Sequence, residues 1–187
     1  MRNWKSLALL TSTFALVACQ DATTPTAPGF SADAALSNSG ATPATVRMMD
    51  ACDPATFAGV PGGCQRSGGV TFTHFIAQLT RLQRVPAWHF APTDLFVNEG
   101  DEFVAKNVGG EVHTFTEVEE FGGGIVPSLN ALAGLPTVAP ECRALQPTDF
   151  IPPGGVATDE AEEPGDENYQ CCIHPWMRMR VHVAQKS

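Results

Sequence analysis

Three soft donor groups recur every three residues in Cys171-Cys172-Ile173-His174-Pro175-Trp176-Met177: a thiol, an imidazole and a thioether. Thiolate and thioether beside imidazole suit copper, and a trigonal set of one cysteine and two histidines with a weak methionine is a one-electron site. The chain must therefore bring a second histidine to this loop from elsewhere. His113, in Glu111-Val112-His113-Thr114-Phe115, meets that need. Strand alternation would put His113 and Phe115 on one face and Thr114 and Thr116 on the other, so the imidazole can point inward.

The surrounding pattern is that of an all-β domain. From about Val70 short apolar or alternating segments are separated by Gly, Pro, Asn and Asp, the rhythm of a β-sandwich, with helical periodicity almost absent. The expected strands are Val70 to Leu79, Trp88 to Phe90, Asp94 to Val97, Glu102 to Asn107, Val112 to Val118, Asn168 to Cys172 and Arg178 to Val183. A further strand is expected between Phe150 and Thr158. Phe121 to Asp149 is rich in Gly, Pro and Ala and breaks the rhythm, which reads as a long flap with a helical turn or two at Ser128 to Ala133.

The N-terminus reads as an export signal. Met1-Arg2-Asn3-Trp4-Lys5 leads into an apolar run, Leu7 to Ala18, too short to span a bilayer. Leu16-Val17-Ala18-Cys19 resembles the lipobox of bacterial lipoproteins, which implies cleavage after residue 18 and lipidation of Cys19. The expected location is then the periplasmic or cell-surface face of a membrane, held by a lipid anchor only. Residues 19–49, mostly Ala, Thr, Ser, Pro, Asp and Gly, lack the apolar periodicity needed to offset ordering entropy and read as a flexible tether. One domain then occupies residues 50–187, with its core at about 70–185.

Residues 87 to 184 resemble the cupredoxins, the plastocyanin, azurin and amicyanin family of blue copper proteins, which carry one histidine on an early strand and Cys-x-x-His-x-x-Met near the C-terminus. The ligand loop looks most like that of amicyanin. Asn98-Glu99-Gly100-Asp101 resembles the turn after the family's second strand, and Asn107 precedes His113 at the expected distance. The resemblance implies a Greek-key sandwich or barrel of about seven or eight strands, with the flap between the two ligand-bearing strands. It implies His113 and His174 as imidazole ligands, Cys171 as the thiolate, Met177 as the axial thioether and Asn107 as a brace for the ligand loop. It also implies that the histidine edge lies in an apolar patch, which Trp176 either joins or leaves in order to cover the core.

Cys172 departs from the family pattern. Alternation groups Tyr169 with Cys171 and Gln170 with Cys172, and only Cys171 stands three residues before His174. With Cys19 lipidated and Cys171 on a metal, Cys52, Cys64, Cys142 and Cys172 remain, an even number for an oxidising compartment. Three connectivities are open, and Cys52 with Cys64 plus Cys142 with Cys172 is favoured. His74, His89 and His182 read as packed or solvated, and Met179 as core.

Loss of residues 1–18 leaves nine basic against 20 acidic residues, a net −11. Such a surface repels nucleic acid and anionic lipid and suits a basic redox partner. The acidic run from Asp159 to Glu167 is either a solvated loop or a remote docking edge. The reading at this level is a monomeric carrier of one copper ion, passing single electrons between redox proteins such as a c-type cytochrome or a membrane redox complex. Multicopper enzymes need His-x-His pairs, which are absent, and copper storage needs Met-rich or His-rich tracts, of which Met48-Met49 is too little. A metal-free binding module would not need all four ligand positions filled.

Overall fold

The computed structural model describes residues 42–60 and 63–187. The signal segment 1–18, Cys19 and the first part of the tether lie outside them.

Eight strands form two four-stranded sheets, the β-sandwich that the strand rhythm and the resemblance led us to expect. In chain order they are β1 (Ala44–Met49), β2 (His89–Ala91), β3 (Asp94–Asn98), β4 (Glu102–Asn107), β5 (Thr116–Val118), β6 (Val156–Glu160), β7 (Gly165–Gln170) and β8 (Arg178–Ala184). One sheet runs β2-β1-β4-β6 and the other β3-β8-β7-β5. Val46, Met48, Phe90, Phe103 and Ala105 from the first meet Tyr169, Met179, Val181 and Val183 from the second in one core. Phe103 and Tyr169 join edge to face at 5.7 Å across it. Fully burying side chains of this size contributes about 1.5–3 kcal/mol each.

Three local expectations are corrected. First, Ala44–Met49, at the end of the expected tether, is strand β1, with Val46 and Met48 wholly buried. It pairs antiparallel with β2 and parallel with β4, so a segment of weak local pattern holds the middle of a sheet. Second, the expected strand Val70 to Leu79 is helix α1 (Phe72–Leu82). Thr71 caps it, its hydroxyl accepting from the His74 amide at 3.3 Å. Phe72, Phe75, Ile76 and Leu79 follow the i, i+3, i+4, i+7 spacing of a helix face, which also mimics alternating aromatic and β-branched strand residues. Third, the strand expected over Val112 to Val118 is confined to β5, and His113 stands before it in an isolated bridge with Ile151.

The flap is ordered. Helix α2 (Pro127–Ala133) lies within it, the Asn130 side chain closes it onto Gly124, and the Cys142–Cys172 disulfide ties it to the end of β7. The second disulfide joins Cys52 to Cys64. Phe57, in the loop that follows Cys52, stacks on Trp88 at 6.0 Å, so the segment between β1 and α1 packs on the domain.

Met48→Ala, which empties a buried position on β1, is expected to lower unfolding free energy by about 2–5 kcal/mol in a urea titration. Arg47→Ala on the exposed side should stay within about 0.5 kcal/mol. By circular dichroism a chain starting at Ser37 should fold, and one starting at Asp50, without β1, should not.

Candidate metal centre

The parallel pairing of β1 with β4 sends both strands toward the same end of the sandwich, where Asp50 follows one and Asn107 to His113 follow the other. The β7 to β8 loop, carrying Cys171, His174 and Met177, completes that end. It is closed by two backbone hydrogen bonds, Cys171 N–H to the Met177 carbonyl at 3.0 Å and Met177 N–H to the His174 carbonyl at 2.8 Å.

Three donor atoms converge. Cys171 Sγ lies 3.7 Å from His113 Nδ1 and 3.8 Å from His174 Nδ1, and all three ligand atoms fall within 4.8 Å of one another. Metal–imidazole and metal–thiolate bonds of about 2.0–2.1 and 2.3 Å place trigonal donors roughly 3.8 Å apart. The spacing therefore fits one shared ion, and the donor set fits copper. Cys171 is the free cysteine among the described residues. Cys171, His113 and Met177 are 0% exposed and His174 4%.

The surroundings of the sulfur favour its ionised form. Burial alone would keep the thiol protonated, but His113 and His174 pull it well below the ordinary thiol value. Amide N–H groups of Thr114 and His174 also point at Sγ, each at 3.4 Å. Burial opposes a charge on His113, yet Asp50 and Cys171 outweigh it and raise its pKa to about 9.

His113 is oriented by its bridge rather than by alternation, since Thr114 beside it is equally buried. It exchanges backbone hydrogen bonds with Ile151 at 3.1 and 2.7 Å. Thr114 accepts the Cys172 amide on its hydroxyl at 2.7 Å, joining the two ligand segments. Asn107 sits below the turn: its side-chain amide donates to the Glu111 carbonyl at 2.7 Å and the Ile151 carbonyl at 2.8 Å, and its oxygen accepts from Gly109 N–H at 3.0 Å.

Sequence reasoning missed the groups behind the histidines. His113 Nε2 meets Asp50 Oδ2 at 3.0 Å, and His174 Nε2 faces Glu111 Oε2 at 3.7 Å. Trp88 Nε1–H donates to that same Glu111 oxygen at 2.7 Å. Burial opposes ionisation of Asp50, but His113 and the Glu111 and Gly110 amides bring it down to about 2. Burial raises Glu111 above its ordinary value against the pull of His174 and Trp88. Glu111 stands two residues before His113, a proximity that could have pointed to it, whereas Asp50 had no local signal. His174 is also roofed by Phe75, Trp88 and Trp176, with ring centroids at 6.4, 6.4 and 5.6 Å.

The remaining histidines stay outside the centre. His74 is exposed on α1, and His182 lies between Asp166 at 2.7 Å and Asp94 at 3.2 Å on the sheet face. Cys172 belongs to a separate small cluster with Cys142, Val118 and Ala139, so the two adjacent cysteines serve different cores. Met179 is buried in the main core.

No family model and no curated protein matches this chain. Among solved structures it is similar to a purple cupredoxin from Nitrosopumilus maritimus, at 15% identity and a TM-score of 0.44, covering 75% of this chain and 99% of that one. It is also similar to a Cu(I) amicyanin variant, at 20% identity and a TM-score of 0.35, covering 51% of this chain and 73% of that one. A reduced amicyanin variant at pH 4 gives 21% identity and a TM-score of 0.35, covering 54% and 77%.

Without metal, the thiolate and His113 share one proton that a bound ion must displace. Affinity for zinc, measured by chelator competition, is therefore expected to rise about tenfold per pH unit from neutrality up to the His113 value of about 9, then level off. A flat profile would contradict the pairing of thiolate with imidazolium.

Proposed function

We propose that this chain is a cupredoxin-type copper protein that carries single electrons between extracytoplasmic redox partners. His113 and His174 would hold the ion through Nδ1, Cys171 through its sulfur and Met177 through its thioether. The observation that carries this reading is the enclosed triad, a buried thiolate 3.7 and 3.8 Å from two imidazole Nδ1 atoms. A copper ion held there would alternate between Cu(I) and Cu(II).

The protein's own residues supply rigidity and exclusion of water. Asn107, the His113–Ile151 bridge and the Thr114–Cys172 bond fix the ligand segments, so the donors need move little when the charge at the centre changes. The aromatic rings around His174 and the full burial of Cys171 keep the triad away from solvent among the described residues. Such a closed site favours electron transfer over substrate chemistry. It also disfavours storage or delivery, where ligands must exchange easily.

Localisation and partners extend the same reading. Export and lipidation at Cys19 would tether the carrier to a membrane surface. Its acidic balance would speed encounter with a basic c-type cytochrome or a membrane redox complex.

Residues 20–187, loaded with copper(II) in an oxidising compartment, are expected to show the intense visible band of thiolate-to-copper charge transfer. Cys171→Ser should abolish it and Cys172→Ser, which breaks a disulfide away from the triad, should retain it. Met177→Leu should keep the band while raising the reduction potential, because one electron-donating ligand is removed. A colourless protein binding only copper(I) would favour storage, and absence of binding would reject the copper reading.

A further inference from the structure

Asp50 occupies an unusual position for a carboxylate. Its side chain is 1% exposed, and among the described residues its hydrogen-bond partners are three backbone amides and the His113 ring. Oδ1 accepts from the amides of Cys52 at 3.2 Å and Gly110 at 2.9 Å. Oδ2 accepts from the amides of Gly110 at 2.8 Å and Glu111 at 3.0 Å, and it also meets His113 Nε2 at 3.0 Å. Amide donors on both oxygens favour the carboxylate as an acceptor, with no proton on Oδ2 to give the ring. The ring must therefore donate, which places a proton on Nε2.

The consequence falls on the opposite edge of the imidazole. With Nε2 protonated, the Nδ1 lone pair is the one available to an ion, and Nδ1 is the atom that faces Cys171 Sγ. The glycines at 109 and 110 make room for this arrangement. A Cβ on Gly109 would run into the Asp50 carboxylate, and one on Gly110 would lie 2.6 Å from Cys52 Sγ. The Cys52–Cys64 disulfide closes the loop that starts two residues after Asp50 and so anchors the carboxylate from its other side.

We propose that Asp50 is a positioning residue that commits His113 to metal binding through Nδ1 and, by placing a fixed negative charge behind that ligand, biases the centre toward the oxidised ion. A carboxylate hydrogen-bonded to a ligating imidazole raises its basicity, and a more basic ligand stabilises the more highly charged metal. Glu111 is a weaker candidate for the same role, because its contact to His174 is long and its oxygen is already engaged by Trp88. The redox half of this inference rests on the copper reading above, whereas the positioning half does not.

Two measurements test it separately. In the metal-free full chain, the His113 Nε2 proton is expected as a downfield, slowly exchanging nuclear magnetic resonance signal that is lost in Asp50→Ala. A wild-type signal exchanging as fast as that of exposed His74 would overturn the positioning role without recourse to any variant. In the copper-loaded protein, Asp50→Asn is expected to weaken copper(II) relative to copper(I) binding by about 10–100-fold. That raises the potential by about 59 mV per tenfold for one electron. Asp50→Glu, which keeps the charge, should recover most of the wild-type potential, and Glu160→Gln on the exposed edge of β6 should leave it unchanged. An Asp50→Asn potential no higher than that of Glu160→Gln would overturn the redox role. If the chain binds no copper, the copper reading and the redox half fall together, while the Nε2 proton still decides the positioning half.

Discussion

A wholly buried sulfur, in surroundings that favour its ionised form, governs this structure. Cys171 Sγ is wholly buried, and an ionised group in an apolar interior costs several kcal/mol unless partners offset it. Two imidazoles at 3.7 and 3.8 Å and two amides at 3.4 Å supply that compensation. These donors come from two segments far apart in sequence, and each must be held where the sulfur needs it. The Asn107 side chain, the bridge between His113 and Ile151 and the Thr114 hydroxyl on the Cys172 amide do the holding. The polar interior at this end of the sandwich is thus a connected hydrogen-bond network around one charge, with apolar core on its other flank.

The segment from β1 to α1 adds a further shell. Parallel pairing of β1 with β4 carries Asp50 to the turn that precedes His113, and the Gly109-Gly110 pair lets the carboxylate approach that backbone closely. Farther along, α1 lays Phe75 over Trp88 and His174. The two imidazoles consequently differ in surroundings. The His113 ring ends on a carboxylate held by amides, while the His174 ring is enclosed by aromatic faces with Glu111 at its edge. That asymmetry would give the two candidate ligands separate means of tuning a bound ion.

The parts legible in sequence were those whose chemistry is local. Cys171, His174 and Met177 share one short loop, and the face assignment that separated Cys171 from Cys172 survives in the structure as membership of two different clusters. Elements with strong alternation, such as Glu102–Asn107, stand where the pattern put them. The stretch from Val70 to Leu79 misled because Phe72, Phe75, Ile76 and Leu79 satisfy a helix face while the intervening Thr and His residues imitate a strand. The Thr71 cap and the packing of Phe75 against Phe57 and Trp88 decide for the helix. His113 was found through an alternation that the structure does not have at that point, and its inward aim comes from a bridge to Ile151, 38 residues away in the chain.

By itself the sequence determined the donor chemistry, the sandwich class and the loop that carries three of the candidate ligands, because residue type, period and spacing are properties of neighbouring positions. Only the tertiary structure decided that Ala44–Met49 is a central strand, that Asp50 backs His113 and that α1 roofs His174. Each of these depends on a pairing or contact between segments tens of residues apart. Backbone hydrogen bonds between strands depend little on side-chain identity, so a weakly patterned strand leaves almost no trace in the sequence. Asp50 reaches the His113 ring only because parallel pairing of β1 with β4 brings it there.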